Sequence, residues 1–346
     1  MFAKMRSPVT ITATELDNYL ARGWFRMRQN VFTTNFLQFD NQFYSAIWLR
    51  VPLAVPVFSK KEKTLRRLNA GFRVEIKKAL ITESHEILYQ AYRNAISFEV
   101  SGTLRELLLG NESYNRFDTY EITVYDGDIL IALGVFDLGK KSAAGISVIY
   151  HPAYKKYSLG KFLIFLKIDF CRQLQMKFFY PGYLVPGYTA FDYKKEIGSD
   201  MLEYLHLGSQ EWLPFANFNL SDSPLHSMID KLEVLKTFLE QSGISTTLLF
   251  YKFFDANLDA GFYGNDLFDF PVFLYCFPTM GSFEYHLIVF DVRDECYYLL
   301  LCSSIIHLDY YAGNDNIFSS GLLKSDKCII STKNPAEISA ILPAYL

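Results

Sequence analysis

The sequence has no cysteine before Cys171 and only five in 346 residues. Cys171, Cys276, Cys296, Cys302 and Cys328 lie in apolar or strand-like surroundings at no metal-ligand spacing, so buried thiols are expected rather than a metal centre. Six histidines are scattered without ligand spacing, and Ser147 lacks a G-x-S-x-G elbow, so no nucleophilic triad is visible. No apolar run approaches the ~20 residues of a membrane span. The opening MFAKMRSPVTITATEL lacks the apolar stretch of a secretory signal, which points to the cytoplasm and away from a membrane. Internal repeats and low-complexity tracts are missing too. What remains is a chain with 50% apolar residues, long enough for two or three domains with sizeable cores.

Charge is unevenly spread. Residues 1–205 carry 27 Lys and Arg against 20 Asp and Glu, a net of +7, whereas residues 206–346 carry 7 against 17, a net of −10. A basic part joined to an acidic one predicts that only the first meets an anionic partner. The cations cluster: Lys60, Lys61, Lys63, Arg66, Arg67, Arg73, Lys77 and Lys78 share one segment, opposed by Glu62 and Glu75. Such a run reads as a solvated face or as a phosphate-binding one. Lys155, Lys156 and Lys161 lie further along.

The most informative stretch runs from Gly145 to Lys194. It reads as a strand over 145–150, a polar turn over 151–157, a helix from Ser158 and a second strand over 178–185. The helix rests on Ser158 as N-cap and on Leu159, Phe162, Leu163, Leu166, Phe170 and Leu174 as an apolar stripe at helical spacing. The turn before it offers backbone N–H groups and a positive helix end, where a phosphate or carbonyl oxygen can sit. Elsewhere, a helix capped by Thr14 is expected to turn Leu16, Tyr19 and Leu20 inward. Residues 24–58 alternate as strands. Residues 82–109 read as helix with a break near Ser101-Gly102. Asp126-Gly127 marks a hairpin between 121–125 and 129–136, which accounts for the acidic residues there without a metal. Residues 226–242 read as a helix, and 284–292 with 296–305 as a hairpin. Phe262, Tyr263, Phe268, Phe270, Phe273, Tyr275 and Phe277 fit core packing better than a pocket.

The element order of 145–194 resembles the carrier-holding unit of GNAT-type N-acyltransferases. Ser158-Leu159-Gly160, Tyr180-Pro181-Gly182-Tyr183-Leu184-Val185 and Tyr193-Lys194 resemble the S-L-G, Y-L-G-Y-x-I and M-x-Y-K signatures of the arginyl-tRNA–protein transferase family. Upstream, Gly134-Val135-Phe136-Asp137 and Tyr150-His151-Pro152 are similar to its G-V-x-D strand and Y-D-P turn. Gly23-Trp24-Phe25-Arg26-Met27-Arg28 is similar to its G-F-R-R-x-G opening, and Phe58-Ser59-Lys60 through Arg67 to its F-x-x-S-x-x-x-R-R segment. The resemblance covers roughly residues 15–205. The chain departs from the family in lacking its early cysteine pairs, and in Tyr157, Phe191 and His151 where the family carries arginine, methionine and aspartate.

The resemblance implies an α/β fold: a GNAT-like acyltransferase core with an additional C-terminal α+β domain. Residues 1–85 would form an N-terminal transferase subdomain, 86–205 the core, and 206–346 an acidic, aromatic-rich domain. It implies transfer of an amino acid from aminoacyl-tRNA, the co-substrate and sole carrier with no other cofactor, to protein N-termini bearing acidic residues, in the N-degron pathway. An acyl-CoA-dependent N-acyltransferase and a non-catalytic binding protein are the alternatives. The activated ester carries the driving force, so the protein must place an α-amine, accept its proton and stabilise an oxyanion.

Among the matching positions, Lys194 is expected to place charge near the ester, Tyr183 to offer its phenol, and Asp137 to take the amine proton or cap a turn. Arg26 and Arg28 would bind an acidic side chain or a phosphate, or pair with a neighbouring carboxylate. Tyr180 and Tyr193 are further substrate-binding candidates, and for both Tyr180 and Tyr183 the alternative is a strand-core aromatic. Ser158, Leu159 and Gly160 would shape the carrier phosphate site, or simply begin a helix. Lys60, Lys61, Arg66 and Arg67 are the tRNA-binding candidates.

Overall fold

The computed structural model describes residues 1–346 except 55–59, 98, 199–200, 263, 277–283, 308–315 and 346. Phe58, Ser59, Tyr263 and Phe277 therefore lie outside the described residues. At the N-terminal end, β1 (Ala3–Arg6), β2 (Phe25–Met27) and β3 (Asn30–Thr34) form a small sheet beside α1 (Ala13–Leu20), and β4 (Phe36–Phe39) pairs with β5 (Gln42–Ser45). Thr12, not Thr14, caps α1, in a reciprocal box with Glu15.

The central sheet takes β6 (Ile47–Pro52), β7 (Arg73–Lys78), β8 (Thr119–Asp126), β9 (Ile129–Leu138), β10 (Ser142–Tyr150), β11 (Phe178–Leu184), β12 (Glu203–Leu205) and β13 (Trp212–Pro214). Their order is β13-β12-β6-β11-β10-β9-β8-β7. The pair β10 and β11 is parallel, and α5 (Leu159–Gln173) is its crossover. The helix α2 (Lys60–Leu68) packs on α5, and α3 (Glu83–Arg93) and α4 (Leu104–Leu109), separated at the expected break, pack on the sheet. This is the strand, turn, helix, strand order of a GNAT-like core. The expected boundary at residue 85 cuts through it, because β6 and β7 belong to the same sheet, and β13 extends past 205.

The stripe on α5 is wider than its sequence period indicates. Leu159, Phe162, Leu163, Ile164, Phe165, Lys167, Ile168 and Cys171 are buried, whereas Leu174 is 46% exposed beyond the helix end. Each fully buried Leu or Phe contributes roughly 1.5–3 kcal/mol, which fixes the helix against β9 and β10.

The C-terminal part stacks α6 (Pro224–Gln241) and α7 (Pro335–Ile341) on β14 (Thr246–Tyr251), β15 (Val272–Cys276), β16 (Glu284–Asp291), β17 (Cys296–His307), β18 (Ile317–Phe318) and β19 (Gly321–Thr332). Its core holds Phe268 and Phe273, as packing predicts, and it recruits Phe2 and Phe36 from the chain's start. Cys171, Cys276 and Cys302 are buried as expected, but Cys296 is half-buried and Cys328 is exposed on the edge strand β19. Among the described residues, no helix is long and apolar enough to cross a membrane.

Candidate functional site

Two strands that start parallel and then part create a cleft. Registered pairing of β10 with β11 covers Ser142–Ala144 against Phe178–Tyr180. Beyond it, β10 shifts register against β9 between Gly145 and Ser147, and β11 shifts against β6 between Phe179 and Gly182. Pro181 has no N–H to donate to the ladder, and Gly182 takes a φ of +84° that favours glycine. The resulting wedge is a cavity of about 260 Å³ between Gly145–Val148 and Phe179–Pro181, roofed by Tyr89 and Tyr92 of α3. Ile146, Val148, Ile164 and Phe179 make its walls apolar, and among the described residues no Asp or Glu lines it. A larger cavity of about 570 Å³ lies between the His206–Ser209 turn and Arg293–Glu295, but it mixes charges of both signs and holds none of the matching motif residues.

Two lysines line the cleft. Lys194, in the 3-10 segment Thr189–Glu196, is 7% exposed and donates to the Tyr183 carbonyl at 2.6 Å. Its Nζ stands 5.3 Å from the Tyr183 ring centroid and 5.0 Å from that of Phe191. A Cβ at Gly182 would lie 3.4 Å from this Nζ, so the glycine leaves room for it. Burial pushes the Lys194 ammonium down to about 7. Lys167, on α5, was not among the expected site residues. Its Nζ donates to the carbonyls of Val135 at 2.9 Å and Ser147 at 2.8 Å. Burial lowers it to about 7 as well, opposed in part by Cys171 and Asp137. The available signal was its spacing: Lys167 stands at i+4 from Leu163 and i−4 from Cys171, on the buried stripe.

The other expected residues are placed as follows. Tyr193 lines the cleft. Arg26 and Asp137 do not: their side chains are 1% and 0% exposed and form a 2.8 Å ion pair. Arg26 also donates to Thr119 at 2.9 Å, to the carbonyls of Leu108 at 2.6 Å and Arg28 at 2.7 Å, and lies over the Phe117 ring. It cannot meet a substrate there, and Asp137, which accepts from Arg26 and Thr119, cannot reach an amine. Burial raises the Asp137 carboxyl despite Arg26. The pair instead ties β2 to β9. Arg28 is exposed and 3.5 Å from Glu106, the surface pair that was its alternative.

Tyr180 is 3% exposed with its ring against Trp212, the core aromatic of the alternative reading. Tyr183 packs its ring on Trp48 and Phe191 and serves Lys194 through its carbonyl, and burial raises its phenol. Ser158 is exposed, in the left-handed region at φ 50°, and makes no side-chain cap bond, so the expected N-cap does not form. Leu159 is fully buried in the core. None of the three line the cleft, although Gly160 packs beside Val148, which does.

The basic segment divides between α2, which holds Lys60 to Arg67 and borders the helix start, and β7, which holds Arg73, Lys77 and Lys78. Asn69 donates to the Tyr157 carbonyl at 3.1 Å, and Lys61 and Lys161 both pair with Glu196, at 3.8 and 2.9 Å. Lys60 and Arg67 are exposed there with Lys155 and Lys156. Arg66 is not a free cation: it bridges Glu62 at 2.6 Å and Asp169 at 2.5 Å, which corrects its assignment to tRNA.

Residues 82–203 match the family "Arginine-tRNA-protein transferase, C terminus". The chain is 33% identical over 153 residues to an "Aspartate/glutamate leucyltransferase" of Leptospira interrogans, covering 42% of this chain and 59% of that one. It is 29% identical over 232 residues to the protein of that name from Paracoccus denitrificans, covering 63% and 80%. The chain thus spans 59% of the length of the Leptospira relatives it matches. Among solved structures, L-PGS from Bacillus licheniformis is 11% identical over 40% of this chain and 46% of that one, with a TM-score of 0.31.

Proposed function

We propose, from the match of residues 82–203 to the arginine-tRNA–protein transferase family, that this protein moves an amino acid from aminoacyl-tRNA to the α-amine of a protein whose first residue is acidic. The observation that carries the reading is the cleft at the parting of β10 and β11, where the Tyr193-Lys194 motif meets the bulged strand. Lys194, held by one carbonyl and lying over two adjoining rings, sits where a positive charge stabilises the oxyanion formed as the amine attacks the ester carbonyl. The walls hold amine and ester together, and burial excludes water from the acyl group. The tRNA backbone would lie along Lys60, Lys61 and Arg67 of α2, with Lys155 and Lys156 beside the helix start; no further cofactor is required.

The cleft favours leucine over arginine as the transferred residue. Ile146, Val148, Ile164 and Phe179 suit an apolar side chain, whereas a guanidinium would meet two lysines and, among the described residues, no carboxylate. Leucine is also the residue in the names of the relatives from Leptospira interrogans and Paracoccus denitrificans. The test incubates the protein with leucyl- or arginyl-tRNA and peptides beginning in Asp, Glu or Ala, followed by mass spectrometry. One added leucyl residue on the acidic peptides supports the reading, and no added residue from either tRNA overturns it. An arginyl addition keeps the transferase and overturns the leucine choice.

A further inference from the structure

The second amine of the cleft is held in a way that constrains its chemistry. Lys167 is 1% exposed, and its stem crosses β9 at Gly134, where a Cβ would come within 2.9 Å of the lysine Cε. Its Nζ meets the carbonyl of Val135 on β9 and that of Ser147 on β10. A neutral amine has two N–H donors and one lone pair. Two carbonyls take both hydrogens and leave the lone pair free beside the cleft that Lys167 lines. The acidic group acting on it from β9, Asp137, binds Arg26 and Thr119 through Oδ1, while its buried Oδ2 has no hydrogen-bond partner among the described residues and accepts no bond from the Lys167 nitrogen. The other titratable neighbours are Cys171 on its own helix, Tyr89 and Tyr92 on α3, and Tyr193 and Lys194 on the 3-10 segment. Lys194 differs: two ring faces favour its ammonium form.

We infer that Lys167 is a further catalytic residue of the proposed transfer, taking the proton that the attacking α-amine must lose and returning it to the ribose oxygen that leaves. The inference rests on the transferase reading above. As the C–N bond forms, the carbonyl π pair moves onto oxygen beside Lys194, and the Lys167 lone pair takes one proton from the new C–N centre. Collapse of the oxyanion restores the carbonyl and breaks the ester C–O bond, and the Lys167 ammonium protonates the departing 3′ or 2′ oxygen. Amide and free tRNA result, with no net change in protons.

The test measures single-turnover transfer of leucine from leucyl-tRNA to an Asp-initiated peptide from about pH 5 to 9 in wild type, Lys167→Gln and Lys167→Arg. Both replacements keep N–H donors for the two carbonyls and neither is a base near neutrality. The wild-type profile is expected to be bell-shaped around pH 7, its acid limb belonging to Lys167 and its alkaline limb to Lys194. Both variants should lose the acid limb and roughly 10²–10⁴-fold in rate, with leucyl-tRNA binding retained. A folded variant that keeps the acid limb, at any rate, overturns the assignment and makes Lys167 structural. If wild type transfers nothing while binding leucyl-tRNA, the transferase reading itself falls, which is a different result.

Discussion

Removing Arg26 should destabilise the protein rather than merely slow it. Arg26→Met deletes a guanidinium that donates to Asp137 and Thr119 and to the carbonyls of Arg28 and Leu108, all within a region sealed from solvent. Breaking a buried pair from one side leaves an uncompensated charge and costs about 3–5 kcal/mol. At roughly 2–4 °C per kcal/mol for a body of this size, the melting temperature should fall by about 6–20 °C. The loss should depend on pH. Asp137 is already raised by burial, and without Arg26 its carboxyl rises further. A carboxyl whose folded pKa lies above its unfolded value of about 3.9 binds more protons when folded, so stability falls as pH climbs from that value through the folded one. The deficit of Arg26→Met should therefore be larger at pH 8 than at about pH 5. Adding Asp137→Asn removes the stranded charge while keeping the shape, and should recover a substantial part of the loss. Thermal melts of the wild type, both singles and the double, each at two pH values, provide the assay. A single variant melting with the wild type, or a double melting no higher than Arg26→Met, would refute the view that this pair is a structural tie.

Other perturbations probe other parts of the molecule. Gly134→Ala should displace the Lys167 stem, since the new Cβ would lie 2.9 Å from its Cε, and lower transfer more than it lowers the melting temperature. Lys194→Met should flatten part of the pH dependence of stability: a lysine lowered to about 7 binds fewer protons folded than unfolded, so wild-type stability rises from about pH 7 towards the unfolded value near 10.4, and in melts across the window the variant should lose the Lys194 share of that rise while Lys167, lowered likewise, keeps its own. Lys60→Ala with Arg67→Ala should weaken tRNA binding and reduce its salt slope by about one for each phosphate no longer neutralised, measured by titration at several salt concentrations. Arg66→Ala should instead lower stability, because Arg66 bridges Glu62 and Asp169.

Local patterning made much of this fold readable. The hairpin at Asp126-Gly127, the helical break near Ser101-Gly102 and the strand, turn, helix, strand unit of 145–184 follow from turn chemistry and periodicity, which act over a few residues. The site was less legible because it depends on long-range placement. Arg26 and Asp137 stand 111 positions apart, and their mutual burial turns two apparent functional groups into a tie. Lys167 escaped notice for the opposite reason, since a lysine on a helix ordinarily faces water. Only its register with Leu163 and Cys171 betrays it. Nothing local told that Phe2 and Phe36 complete the C-terminal core, because both residues join distant parts of the chain.

The central claim is that leucyl transfer takes place in the wedge between β10 and β11. It is tested most directly by single-turnover transfer from leucyl-tRNA to an Asp-initiated peptide with Ser147→Phe, which adds bulk at the β10 wall of the cavity of about 260 Å³. The expected result is a folded protein, with a wild-type circular dichroism spectrum and retained tRNA binding through α2, whose transfer is abolished. Wild-type transfer by this variant would place the reaction elsewhere and contradict the claim.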